Sequence, residues 1–216
     1  MSALFPRWTN TAARATGAAL LASPAVGFAL LVLWNRTPFV TGQFTPLEQP
    51  VQFDHRHHVG DEGIDCRYCH TSVETSPSAG LPSTAVCMSC HAQIWNKSPK
   101  LEPIREAYFS GKPVVWSRVH NLPDFVYFNH AIHVGKGVAC ATCHGRVDRM
   151  AAVEQVEPLT MQWCLACHRD PHLHLRPKDQ VTQMAWEPPA DPEAAGQALA
   201  QRNDVHTRVS CTTCHR

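Results

Sequence analysis

Cys66-Arg67-Tyr68-Cys69-His70, Cys87-Met88-Ser89-Cys90-His91, Cys140-Ala141-Thr142-Cys143-His144, Cys164-Leu165-Ala166-Cys167-His168 and Cys211-Thr212-Thr213-Cys214-His215 together use all ten cysteines of the 216-residue chain. Each is a Cys-x-x-Cys-His pentapeptide. In this arrangement two thiols add across the vinyl groups of a haem as thioethers, and the next residue presents an imidazole to the iron. Two intervening residues let one turn of chain span both vinyl positions. Given the composition, a cysteine would acquire both partners by accident with a chance of roughly 0.3%, so five coincidences are excluded.

Other uses of the thiols fit poorly. Zinc sites would group Cys-x-x-Cys units into four-ligand sets without needing histidine at one fixed offset. A thioredoxin-like redox site would show one such pair near a strand–helix pattern. A disulfide framework gives the histidine no role. The sequence therefore predicts five c-type haems.

Composition agrees with a scaffold organised by its cofactors. The chain has 17 prolines, 11 glycines and 17% charged residues, and few long amphipathic periods beyond the N-terminus. The expected fold class is a multihaem cytochrome c: mostly loops and short α-helices organised around five covalently bound haems, with one N-terminal transmembrane helix. Porphyrin faces would supply the apolar surface that the side chains do not provide for one another. The formal charge of +1 becomes about −4 once each oxidised bis-histidine haem adds about −1. No nucleic-acid partner is implied.

Ala15 to Trp34 is a run of about 20 residues without a charged side chain, the length that crosses the hydrocarbon of a bilayer as a helix. Arg7 and Arg14 precede it, so the positive-inside bias places Met1 in the cytoplasm and the residues after Arg36 on the periplasmic side of the cytoplasmic membrane. Haem attachment on that outer side agrees with this single-pass orientation. A cleaved signal is the rival reading, but Asn35-Arg36-Thr37-Pro38-Phe39 offers no small-x-small cleavage site.

An internal repeat precedes the first and third motifs. Phe53-Asp54-His55-Arg56-His57-His58-Val59-Gly60 and Phe128-Asn129-His130-Ala131-Ile132-His133-Val134-Gly135 both read Phe-x-His-x-x-His-Val-Gly. Histidines three apart share a helical face and can reach two neighbouring irons. The chain is accordingly divided into a cytoplasmic N-terminus (1–14), an anchor helix (15–34), a linker (35–50), a first two-haem module (51–100), a connecting segment (101–125) and a second two-haem module (126–176). Residues 177–216 complete it as a linker, a short helix opened by Asp191 and Pro192, and the fifth haem.

The proximal ligands are expected to be His70, His91, His144, His168 and His215. His55, His58, His130 and His133 are the distal candidates favoured by the repeat, and His120 is the fifth. Met184 and His206 are secondary candidates; methionine would raise the reduction potential of its iron. His57, His172 and His174 read as solvated or propionate-binding side chains. No catalytic residue is assigned.

From Phe53 to Arg176 the chain resembles the pentahaem cytochrome c subunit of alternative complex III, a quinol-oxidising complex of respiratory and photosynthetic membranes. The likeness is carried by Phe53–His58, Val115-Trp116-Ser117-Arg118-Val119-His120-Asn121-Leu122-Pro123, Phe128–His133 and Cys140-Ala141-Thr142-Cys143-His144-Gly145. Paired His-x-x-His and tight motif spacing are similar to class III multihaem cytochromes more widely. The resemblance implies a relay subunit beside integral-membrane quinol-oxidising subunits and an iron–sulfur subunit. A monohaem cytochrome c or blue-copper protein would be the acceptor. Alternative readings are a subunit of a molybdopterin oxidoreductase complex and a multihaem oxyanion reductase. The latter needs an open iron flanked by acid–base groups, and no attachment motif here has lysine in place of its histidine.

Overall fold

The computed structural model describes residues 5–215; Arg216 and the first four residues of the expected cytoplasmic segment, Met1 included, lie outside it. Two compact units are present, one ending at Gly42 and the other comprising Gln43–Arg216.

In the first unit the apolar run lies within helix α1, Thr9–Trp34, because the six residues preceding Ala15 contain no helix breaker. Its 26 residues reach about 39 Å at 1.5 Å per residue, with a mean hydropathy of 2.0 over its most apolar window. This helix is long and apolar enough to span a membrane. Pro24 cannot donate a hydrogen bond to the carbonyl of Leu20, and the Ser23 hydroxyl donates to that carbonyl at 3.0 Å instead. Such a local substitution is what lets proline persist inside an apolar helix. A short helix α2, Pro38–Thr41, follows and ends at left-handed Gly42.

The second unit is built from short helices and turns. The attachment pentapeptides begin or close α3 (Cys66–Cys69), α4 (Thr84–His91), α7 (Cys140–His144), α8 (Met161–Arg169) and α10 (Cys211–Cys214). Between them lie α5 (Glu102–Ser110), α6 (His130–Gly135) and α9 (Pro192–Arg202). The first His-x-x-His forms a π-helical turn, Arg56–Asp61, whereas the second forms α6. Among the described residues there is no strand, only isolated bridges at Gln43–Gln155 and Val138–Leu175.

Local sequence explains where these turns start. Asp65 accepts the Arg67 amide at 2.8 Å, Asn129 that of Ile132 at 3.3 Å, Thr160 that of Trp163 at 3.4 Å and Asp191 that of Ala194 at 3.0 Å. Each is a polar N-cap satisfying an amide that the helix cannot. With Pro192 in its first turn, α9 starts where the sequence predicts and ends at Arg202. It packs on the turn Pro171–His174, where buried Gly196 lies against the His172 carbonyl. Gly137, with φ +96°, allows the chain to pass Arg176, whose amide donates to its carbonyl at 2.8 Å.

The polypeptide core is small. Val51, Met88, Leu101 and Ile104 form one cluster with Cys87, Val114 and Trp116 around it, and Val73, Val134 and Val181 form another. Among the described residues no large side chain is completely buried, while Tyr68, Ile94, Trp95, Phe125 and Ile132 are exposed beside the attachment motifs. A chain of this length normally offsets its backbone entropy with a larger core, so the fold requires apolar surface from its cofactors.

Asp65 joins several constraints at once, since Arg67 and Thr182 also bond its carboxylate. The Arg67 hydrogen bond is the main reason its pKa is lowered to about 2, against the opposing effect of partial burial. A depressed carboxylate stabilises the fold above its unfolded pKa and loses that contribution as pH falls through the folded value. Asp65→Ala should therefore cost about 1 kcal/mol near neutral pH. The difference from wild type should shrink between about pH 4 and about pH 2, as read by denaturant unfolding of the holoprotein.

Candidate haem-binding sites

Seven of the nine imidazoles in the motifs and repeats share one hydrogen-bonding rule. Nδ1 of His70 meets the Gly80 carbonyl at 2.8 Å, His91 that of Ile94 at 3.0 Å, His168 that of Arg208 at 2.9 Å and His215 that of Phe125 at 3.0 Å. In the repeats, Nδ1 of His58 meets the Asp54 carbonyl at 2.8 Å, His130 that of Pro77 at 2.8 Å and His133 that of Asn129 at 2.7 Å. A carbonyl only accepts, so each of these rings carries its proton on Nδ1 and keeps an Nε2 lone pair for a metal. This is the tautomer of an iron-binding histidine with a fixed outer partner.

The rings are also set in pairs. His58 and His91 have centroids 6.1 Å apart, His133 and His168 6.0 Å, and His130 and His144 6.4 Å, the last pair nearly parallel at 9°. An imidazole nitrogen lies about 2 Å from a bound metal, so two trans imidazoles place their ring centres about 6 Å apart. The observed spacings match. His55 lies within electrostatic reach of His70, and burial first, then that neighbour, pushes its pKa down to about 4. Its Nδ1 is the one buried side-chain polar atom without a hydrogen-bond partner among the described residues.

The repeat's phenylalanine has a structural role that the sequence did not announce. Phe53 stacks on His58 (4.3 Å, 24°) and meets His55 edge-on (4.7 Å, 83°). Phe128 does the same to His133 (4.5 Å, 27°) and His130 (4.7 Å, 88°). One aromatic ring thereby orients both imidazoles of each turn.

His120, expected as the fifth distal ligand, is brought to the third motif. Its Nε2 lies 3.2 Å from Nδ1 of His144, with ring centroids 4.2 Å apart. If His144 binds iron through Nε2, its Nδ1 donates and His120 accepts where the other proximal rings find a carbonyl. His144 is partly buried, and burial followed by His120 and three further imidazoles pushes its pKa down to about 3. His206 gives its Nε2 to Asp204 at 2.7 Å and is exposed. His172 likewise engages Glu193 at 2.9 Å, and His57 faces Asp61 at 3.4 Å. Met184 is buried, 8% exposed.

These residues fit covalently attached haem. All ten thiols are free of disulfides, and among the described residues no group of three or more potential ligands gathers as an ion-binding cluster. The paired rings and their fixed tautomers suit irons bound between two imidazoles.

Comparison with known proteins agrees. Residues 126–216 match the model of cytochrome c7 and related cytochrome c, and residues 35–114 match the class III cytochrome C family. The chain is 34% identical over 146 residues to the menaquinone reductase, multiheme cytochrome c subunit, of Nitratidesulfovibrio vulgaris (strain Hildenborough). The alignment covers 67% of this chain and 63% of that relative. The particular likeness to alternative complex III is not among these matches.

The His120 contact separates two roles experimentally. A strong acceptor at the outer nitrogen makes a ligating imidazole more electron-donating, so His120→Ala should raise the reduction potential of one haem and leave every low-spin signal in place. A new high-spin or carbon-monoxide-binding iron in this variant would instead make His120 an axial ligand.

Proposed function

We propose that this chain, a multihaem cytochrome c in fold and cofactor chemistry, carries five covalently bound haems and is the electron-transfer subunit of a membrane-bound, quinone-linked oxidoreductase complex. The observation that carries the reading is the set of paired imidazoles whose tautomers are fixed by backbone carbonyls. Each haem, when bound, supplies an iron that exchanges a single electron between ferric and ferrous forms.

The chain's own residues do the rest. The cysteines of each motif tether the rings, and His70, His91, His144, His168 and His215 are the proximal ligands. His55 is assigned opposite His70, His58 opposite His91, His130 opposite His144 and His133 opposite His168. The sixth coordination position at the fifth site is assigned to neither His120 nor His206, because their Nε2 atoms are engaged by His144 and Asp204. Four irons so held would have no position for a substrate, which favours a relay over an oxyanion reductase.

The apolar helix Thr9–Trp34 is read as the anchor, with the haem-binding unit on the periplasmic side. Ala15 to Trp34 contains no ionisable side chain, and a single such helix offers no quinone pocket. Quinone chemistry is therefore assigned to integral-membrane partners. The likeness to a menaquinone reductase subunit supports electron flow through this chain toward quinone. The alternative complex III resemblance of Phe53–His58 and Val115–Pro123 supports a second reading, in which a quinol is oxidised and a periplasmic cytochrome or copper protein is reduced.

Haem and protein assays on the purified holoprotein should give five haems per chain, and low-temperature electron paramagnetic resonance should resolve at least four low-spin, bis-histidine irons. Fewer haems, or a substrate-accessible iron among the four paired sites, would overturn the assignment. Mixing the intact complex with a naphthoquinol, and separately with a reduced periplasmic cytochrome, distinguishes the two directions by which reagent reduces the haems.

A further inference from the structure

The spatial order of the attachment motifs differs from their order in sequence. The first and second motifs touch through Tyr68 and Ser89, whose hydroxyls are 3.2 Å apart, and Cys87 and Cys90 are close charge neighbours of Cys69. The third and fourth are linked in the same way, with Cys143 beside Cys164 and Cys167. Each pair is served by one His-x-x-His turn. The fifth motif joins the fourth: Cys214 is a neighbour of Cys164, the Arg208 carbonyl accepts from His168 at 2.9 Å, and Thr207 donates to the Arg169 carbonyl at 3.3 Å.

Between the two pairs, the contact falls on the first member of each. Cys66 and Cys140, the first cysteines of the two motifs, are close neighbours. Thr182 bonds Asp65 at 2.9 Å while the preceding carbonyl, of Val181, accepts the Cys140 amide at 3.0 Å. The two repeats clasp each other reciprocally: the Arg56 amide donates to Met150 O beyond the third motif at 3.2 Å, and the amides of His130 and Ala131 donate to Pro77 O and Ser76 O beyond the first, at 3.1 and 3.2 Å. This is a two-fold-like joint in which equivalent surfaces meet.

The geometry points to a row of sites running second, first, third, fourth, fifth, so that electrons pass from the second motif's haem to the third's only through the first. With haems bound, each hop would oxidise one ferrous iron and reduce one ferric neighbour, with no bond made or broken. The ends of the row, at Cys87–His91 and Cys211–His215, are where a one-electron donor protein and the quinone-linked partner would exchange electrons with it. This inference rests on the five-haem reading above.

The test uses the full-length holoprotein with site-specific redox titration followed by nuclear magnetic resonance. Loss of the second haem in a Cys87→Ala/Cys90→Ala variant should shift the midpoint potential of the first-site haem and leave the third unchanged, because charge coupling weakens with distance and screening. Loss of the fifth in Cys211→Ala/Cys214→Ala should shift only the fourth. Should either variant fail to mature, nuclear Overhauser contacts in the fully reduced wild type decide the order: contacts between first and third haems are expected. A third-site shift on loss of the second haem, or second-to-third contacts with no first-to-third contact, would overturn the row. A haem count below five would overturn the function while leaving any measured order standing.

Discussion

Seven imidazole Nδ1–H groups held by backbone carbonyls are the constraint on which the rest of the structure depends. A histidine left to itself samples both tautomers; one that donates to a carbonyl has a single nitrogen left to give to iron. The carbonyls at Asp54, Ile94 and Asn129 are local to their rings, whereas those at Arg208, Phe125 and Pro77 come from 40, 90 and 53 residues away. The same bonds that define the ligands therefore anchor loops that have little apolar area of their own. A fold with two small side-chain clusters and many prolines can be specific because its irregular segments end on the candidate ligand imidazoles.

The repeated Phe-x-His-x-x-His segments convert this local rule into architecture. Phe53 and Phe128 hold pairs of rings at nearly the same angles even though one segment is a π-helical turn and the other an α-helix. The side-chain geometry is thus preserved while the backbone varies. Reciprocal amide contacts then lock each segment to the loop beyond the other repeat's attachment motif. What begins as one histidine spacing ends as a joint between the two repeats.

Much of this was legible in the sequence, and the illegible part has a physical reason. Cysteine spacing, the N-terminal apolar helix and the Asp191–Pro192 helix start are local signals, and the multihaem fold class follows from the first. The repeat named four histidines that the structure sets near His70, His91, His144 and His168. His120 could not be placed from sequence, because histidine between Val119 and Asn121 has the same local signature whether it faces iron or another imidazole. Its contact with His144 depends on chain segments that meet only in the folded unit. The carbonyl partners were equally silent, since every residue has one. The comparisons support the multihaem class and a quinone-reductase relative, while the finer resemblance rested on short segments shared among related complexes.

An experimental structure of the haem-loaded protein would test the central claim most directly. The account predicts that Nε2 of His130 and Nε2 of His144 lie on opposite faces of one iron, with the Nδ1 atoms of His130 and His144 still bonded to Pro77 O and His120 respectively. Finding His144 and His130 on different irons, or either ring turned so that Nδ1 faces the metal, would contradict it.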